Sequence, residues 1–266
     1  MTSVDKGPRK VGPAPKHCWR LLRPLVAPMM LFVVWQLMAL RLGNFLILPP
    51  LDAVVRILLN PFQDLLRLGS MVHNAQVSLV RVLLGYSMAA LIGIPLGILK
   101  GYSARARAAL QGVLSMLRPI PPLAWVPLIL AWFGTASLAT LFGLRGGAGY
   151  VYLSNIRVSM VFIIFISSFF PILINTMFGV RNVRRTLLDS ALTLGASQGD
   201  LIRKVILPAA LPSIFTGLRG GMGAAWGSLV AAEMLPGSIA GLGYLISHAQ
   251  SYSRTDIVMA GMIAIS

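Results

Sequence analysis

Ionisable side chains are scarce in this sequence, so each one inside an apolar stretch is a candidate for chemistry. Of 266 residues, 23 are Lys or Arg and 7 are Asp or Glu. Glu233 stands near the end of an apolar run from Ile214 to Leu235, and Arg118 interrupts another from Ala109 to Phe133. A bare carboxylate facing lipid at mid-depth costs roughly 2.5–3.5 kcal/mol, so Glu233 must face protein or water. It is either a gate residue or the partner of an arginine on another helix. The ion pair is favoured. Arg118 precedes Pro119-Ile120-Pro121-Pro122. It either draws an anion toward a pathway or snorkels to the interface beside a proline kink. Trp226 either stacks on a ligand or fills a packing gap, and filling is favoured.

Several other chemistries lack their residues. No Lys follows a Gly, so there is no Gly-Lys-Ser/Thr phosphate loop. His17, His73 and His248 are far apart, with no Cys or carboxylate at ligand spacing, so no metal site is expected. No Gly-x-Ser-x-Gly or His-Glu-x-x-His pattern occurs, which leaves a membrane hydrolase without a nucleophile or base. Cys18 is the single cysteine and cannot form an intrachain disulfide.

The elements that must position these residues are membrane helices. Hydrophobic residues make up 56% of the chain, charged residues 11%, and mean hydropathy is +0.79. A soluble domain of this length needs far more charge to cover its surface. The basic excess is scattered between apolar runs, which suits membrane topology better than nucleic-acid binding. Uncharged apolar length predicts spans at Leu25–Leu40, Val82–Leu99, Ala109–Phe133, Val158–Val180 and Ile214–Leu235, with a sixth that begins near Ile257 and stops, truncated, at Ser266. The expected fold class is therefore an all-α integral membrane protein of about six transmembrane helices. Residues 1–24 are expected as a basic tail ahead of an uncleaved signal anchor, or of a cleaved export signal, and 25–266 as the transmembrane domain. With the N-terminus inside, the cytoplasmic segments hold fourteen Lys and Arg and the outer segments seven. Residues Leu51 to Arg81 are only moderately apolar and are expected as an amphipathic segment lying on the outer interface or packing over the spans, or as an ordinary solvated helix.

This orientation puts residues 181–212 in the cytoplasm. A helix from near Thr186 should end around Gly195, Ser197 or Asp200 should cap a second helix, and Pro208 should close it. The segment resembles the coupling loop of the permease subunits of ATP-binding-cassette importers, which reads Glu-Ala-Ala, three residues, Gly, nine residues, Ile-x-Leu-Pro. Ala191, Gly195, Leu207 and Pro208 match it, with Asp189 for Glu, Ser190 for the first Ala and Val205 for Ile. Leu117 to Trp125, Phe169 to Thr176 and Ala231 to Leu235 are similar blocks, in order, to the nitrate, sulfonate and taurine branch.

The resemblance implies a transport subunit that is not an enzyme, binds no cofactor itself, and works with separate ATP-binding subunits carrying ATP and Mg. It also implies a second permease copy, an extracytoplasmic substrate-binding protein and a small anionic substrate. Asp189, Ala191 and Gly195 would shape the docking surface, with Arg203, Leu207 and Pro208 joining it to the fifth span. Arg118, Pro119, Trp226 and Glu233 would belong to the translocation pathway. Other readings of the loop stay open: a DNA-binding helix-turn-helix, a charged loop that only sets topology, or a structural turn. A transporter driven by an ion gradient is the rival class, but it would bury several ionisable groups near the midplane. Glycines at 217, 220, 221, 223 and 227 are expected to place the fifth span at the centre of the fold, against a copy in a second subunit, or to serve simple helix packing without lining a pore. The stretch Thr140–Asn155 departs from the family as a glycine-rich outer loop, either a contact for a binding protein or a tolerated insertion.

Overall fold

A computed structural model describes residues 17–134, 136–143, 146–234 and 238–266. Most of the basic tail (1–16), Leu144 and Arg145 of the glycine-rich stretch, and Leu235 lie outside the described residues. Among the described residues every element is helical and no strand forms. Hydrocarbon supplies no water to bond the backbone, so an open chain can cross it only as helix.

The helices in order are α1 His17–Leu42, α2 Leu51–Leu59, α3 Met71–Tyr102, α4 Ala104–Leu117, α5 Val126–Phe133, α6 Leu138–Leu141, α7 Ala148–Ser154, α8 Val158–Arg181 and α9 Arg185–Thr193. There follow α10 Gln198–Glu233, α11 Leu242–Ser251 and α12 Thr255–Ile265. Three of them, α3, α8 and α10, are long and apolar enough to cross a membrane. A fourth crossing exists if α4 and the Pro122–Phe133 helix, bent by 86° at the Arg118–Pro121 break, count as one span. The first and sixth expected spans coincide with the shorter apolar helices Val26–Leu42 and Thr255–Ile265. Met29, Leu31 and Leu40 of α1 are about two-thirds exposed, as side chains that face lipid should be.

The core is α8 held between α3 and α10. One face of α3 repeats a small residue every fourth position: Gly85, Ala89, Gly93, Gly97 and Gly101, all buried. A Cβ on Gly85 would lie 2.7 Å from the Ile164 Cβ, one on Gly97 2.6 Å from the Thr176 Cβ, and one on Gly101 2.7 Å from the Val180 Cβ. Lipid tails are as apolar as leucine, so helices associate there by close van der Waals contact, which small residues permit. On its other side, α8 meets Gly217 and Gly221 of α10 at Asn175 and Ile172.

Within one chain the helix enclosed at the centre is α8, while Gly220, Gly223 and Gly227 of α10 face open space. Three expectations need correction. The second span starts at Met71 rather than Val82, so the amphipathic segment ends earlier and Arg81 sits inside a helix. The glycine-rich stretch is not purely loop, since it holds α7 and part of α6. Pro208 does not close the second helix of the 181–212 turn: α10 runs through it. Residues Leu201–Ile206 are π-helical, and this wider winding accommodates both the amide that proline lacks and its ring.

Candidate functional site

The first site is the turn between α9 and α10. The Gly195 N–H donates to the Leu192 carbonyl at 2.9 Å and the Ala196 N–H to the Ala191 carbonyl at 3.0 Å. These two bonds close a Schellman motif, which requires a left-handed residue at Gly195, where φ is +79°. Nothing lies within 4 Å of a Cβ added there, so the need for glycine is conformational rather than steric. The next helix is capped at once: Ser197 Oγ accepts from the Asp200 N–H at 3.2 Å and donates to Asp200 Oδ2 at 2.6 Å. Lys204 Nζ reaches Asp200 Oδ1 at 2.7 Å, one turn on. The Tyr102 hydroxyl at the end of α3 bonds the Gln198 side chain and ties the turn to the bundle.

The expected coupling residues are spread around this turn. Asp189, Gly195, Arg203 and Pro208 are exposed. Ala191 and Leu207 are half-buried against a cluster of Val180, Val183, Leu201, Ile206 and Ala210, which holds α9 onto the start of α10. The same turn exposes Leu187, Leu192 and, at 88%, Leu194. Leucines so placed at the tip of a rigid turn are an apolar surface without a partner in the described residues.

At the other end of α10, Glu233 is 1% exposed inside a buried polar knot. Arg81 Nη1 donates to Glu233 Oε1 at 2.6 Å and to the Ala240 carbonyl at 2.8 Å, and Arg81 Nη2 donates to the Asn155 carbonyl. Ser78 Oγ donates to the carboxylate at 2.8 Å and accepts the Leu242 N–H at 2.9 Å. The Gly243 N–H adds a bond to Glu233 Oε2 at 3.0 Å, and Asn74 Oδ1 accepts the Gly241 N–H at 2.8 Å. Both charges are thus paired and hydrogen-bonded, the condition under which burial is tolerable. Gly241, at φ +123°, is required here: a Cβ on it would fall 2.3 Å from Glu233 Oε1.

The sequence reading missed Asn74, Ser78, Arg81 and Gly241. Positions 74, 78 and 81 share one face of α3, and polar residues recurring at that spacing on a largely apolar helix were the available signal.

The remaining pathway candidates do not converge. Arg118 caps the end of α4 and, with Pro119, lies exposed at the break before Pro122. Trp226 is half-buried beside Val82, Ile164, Ala225 and Leu229, and its indole N–H donates to the Ile265 carbonyl at 3.1 Å, joining α12 to α10. Among the described residues no three of His, Cys, Asp or Glu meet where they could hold a metal ion.

Comparison with known proteins agrees with a membrane component. Residues 93–266 match the family described as the binding-protein-dependent transport system inner membrane component. An ABC transporter permease protein of Methanocaldococcus jannaschii is 47% identical, over 92% of this chain and 84% of its own length. The taurine transport system permease protein of Escherichia coli is 34% identical, over 89% and 79%. The nitrate import permease protein of Synechocystis is 36% identical, over 92% and 82%. The chain therefore belongs to the family of binding-protein-dependent transport system inner membrane components, and its relatives are permease subunits of ABC transporters.

Proposed function

We propose that this chain is the permease subunit of an ATP-driven importer and forms the membrane pathway for a small anion of the nitrate, sulfonate, taurine or bicarbonate type. ATP and Mg are bound by a separate subunit, on which the 181–212 turn docks through Asp189, Ala191, Gly195 and Arg203. A second permease copy completes the pathway, and an extracytoplasmic protein delivers the substrate. The chain crosses the membrane six times with its N-terminus inside, so the turn is cytoplasmic.

One observation carries this reading. A single 36-residue helix joins the turn to the buried knot, with no break between them. At 1.5 Å per residue it is roughly 54 Å long, so a displacement at the turn reaches the far side of the bilayer. The exposed leucines at 187, 192 and 194 suit a docking cleft, and Leu207 holds the turn to the moving helix. Trp226 and Glu233 then lie along the helix that rocks, and Arg118 and Pro119 at the break in the neighbouring span.

The test is reconstitution of the chain with a candidate phosphate-loop ATPase subunit, followed by anion uptake and ATP hydrolysis in proteoliposomes. Gly195→Pro, whose ring cannot adopt φ +79°, and Asp189→Lys should leave insertion intact and separate hydrolysis from uptake. Normal coupled uptake in both variants, or failure of any ATPase to co-purify, would overturn the reading.

A further inference from the structure

Lys100, third from the end of α3, is 5% exposed. The four ion pairs among the described residues leave it out. They also occupy Asp52, Asp200, Glu233 and Asp256, which is most of the acidic supply of a chain with 7 Asp and Glu. The charged neighbours of Lys100 are Arg107 and Arg118, which repel it. Its own helix end does not quench it: the Lys100 and Gly101 carbonyls are taken by the Arg107 guanidinium at 3.2 and 3.0 Å. The stem is buried while the ammonium opens onto accessible space, where only cations face it and an anion would offset their repulsion.

The space for that anion is present. Lys100 lines a cavity of about 100 Å³ between α3, α4 and α8, together with Arg118, Gln111 and Ser115. Sites for drug-sized ligands run to about 300 Å³ or more, so this one suits a single small charged group. Gln111 Nε2 donates to Ser115 Oγ at 3.0 Å, which fixes two further polar groups on the cavity wall. The opposite wall is apolar, with Phe170 and the half-exposed Phe178. Charge at one wall and aromatic rings at the other suit a group whose remainder is hydrocarbon.

We infer that Lys100 and Arg118, with Gln111 and Ser115, form an oxyanion site in this crevice for one phosphate- or sulfonate-type group. The site does not depend on the importer reading. Its occupant is a lipid headgroup phosphate, or a free oxyanion of the same chemistry entering from water, and the apolar wall favours the lipid.

The experiment uses the full chain in detergent, stripped of lipid, with thermal unfolding followed by tryptophan fluorescence. Dioleoylphosphatidylglycerol, dioleoylglycerol and inorganic phosphate are each titrated into wild type, Lys100→Met and Arg118→Gln. Phosphatidylglycerol should raise the wild-type Tm by about 5 °C, and dioleoylglycerol, which keeps the acyl chains without the phosphate, should not. Half-saturation should need about tenfold more phosphatidylglycerol in either variant. Without ligand, Lys100→Met should match or exceed the wild-type Tm, because it removes an isolated charge. Protection by inorganic phosphate that both variants lose would assign the same site to a free oxyanion. Equal protection of all three proteins, protection by dioleoylglycerol, or no protection of wild type would overturn the inference. Should Lys100→Met misfold, Arg118→Gln at an exposed position decides alone.

Discussion

The two ends of α10 solve opposite problems. At Gly195 the structure is made by neighbours in sequence: two backbone bonds, one left-handed residue and one serine cap, with Gly195 and Ser197 exposed to water. At Glu233 it is made chiefly by contacts 152 to 167 positions apart in sequence, in which two buried charges and the hydrogen bonds around them satisfy all but Arg81 Nε. The turn tolerates a partner arriving or leaving because water can replace whatever it loses. The knot has no such reserve, so its components stand or fall together.

The sharpest way to break that contrast is to unpair the knot. Arg81→Met alone should destabilise the chain by about 3–5 kcal/mol, because it strands a buried carboxylate, and Glu233→Gln should cost less. The double variant Arg81→Met with Glu233→Leu should recover much of the loss, as apolar replacement of a whole buried pair often does. Thermal unfolding of the purified chain measures all three. A double variant as unstable as the sum of the singles would mean that the pair is not a unit.

The glycines give a finer comparison. Gly241→Ala meets both a forbidden φ and a collision with the carboxylate, whereas Gly195→Ala meets only the φ. We expect a loss above about 3 kcal/mol at Gly241 and about 1–2 kcal/mol at Gly195. The Gly195 effect should appear as faster hydrogen exchange confined to the turn. The smallest effect belongs to Lys204→Ala, which removes an exposed pair with Asp200 and should cost under about 1 kcal/mol, less again in high salt.

These differences also explain what the sequence revealed. The turn was legible to within a few residues because glycine, serine and the helix cap act locally. The span Val158–Val180 was legible because no charge interrupts it, and the structure ends it one residue later, at Arg181. Arg81 was misplaced because a charge in an apolar run was taken as the edge of the span, whereas its partner lies on a helix 152 positions away. Pro208 was misread for a related reason. Proline ends an ordinary α-helix, and nothing local announces the π-helical stretch that carries α10 through it. Gly217 and Gly220 look equivalent in sequence, and only the packing of α8 shows that one meets Asn175 and the other meets nothing.

The small-residue face of α3 has one more consequence. Gly85, Ala89, Gly93, Gly97 and Gly101 recur with the same period as the side chains they meet on α8, and a screw thread of uniform pitch fits its nut at every full turn. Slipping by four residues, about 6 Å, would again set small against large. Uniform threading cannot choose among these settings. The bond from Arg81 to the Asn155 carbonyl, just ahead of α8, occurs once along the thread and acts as its locking pin.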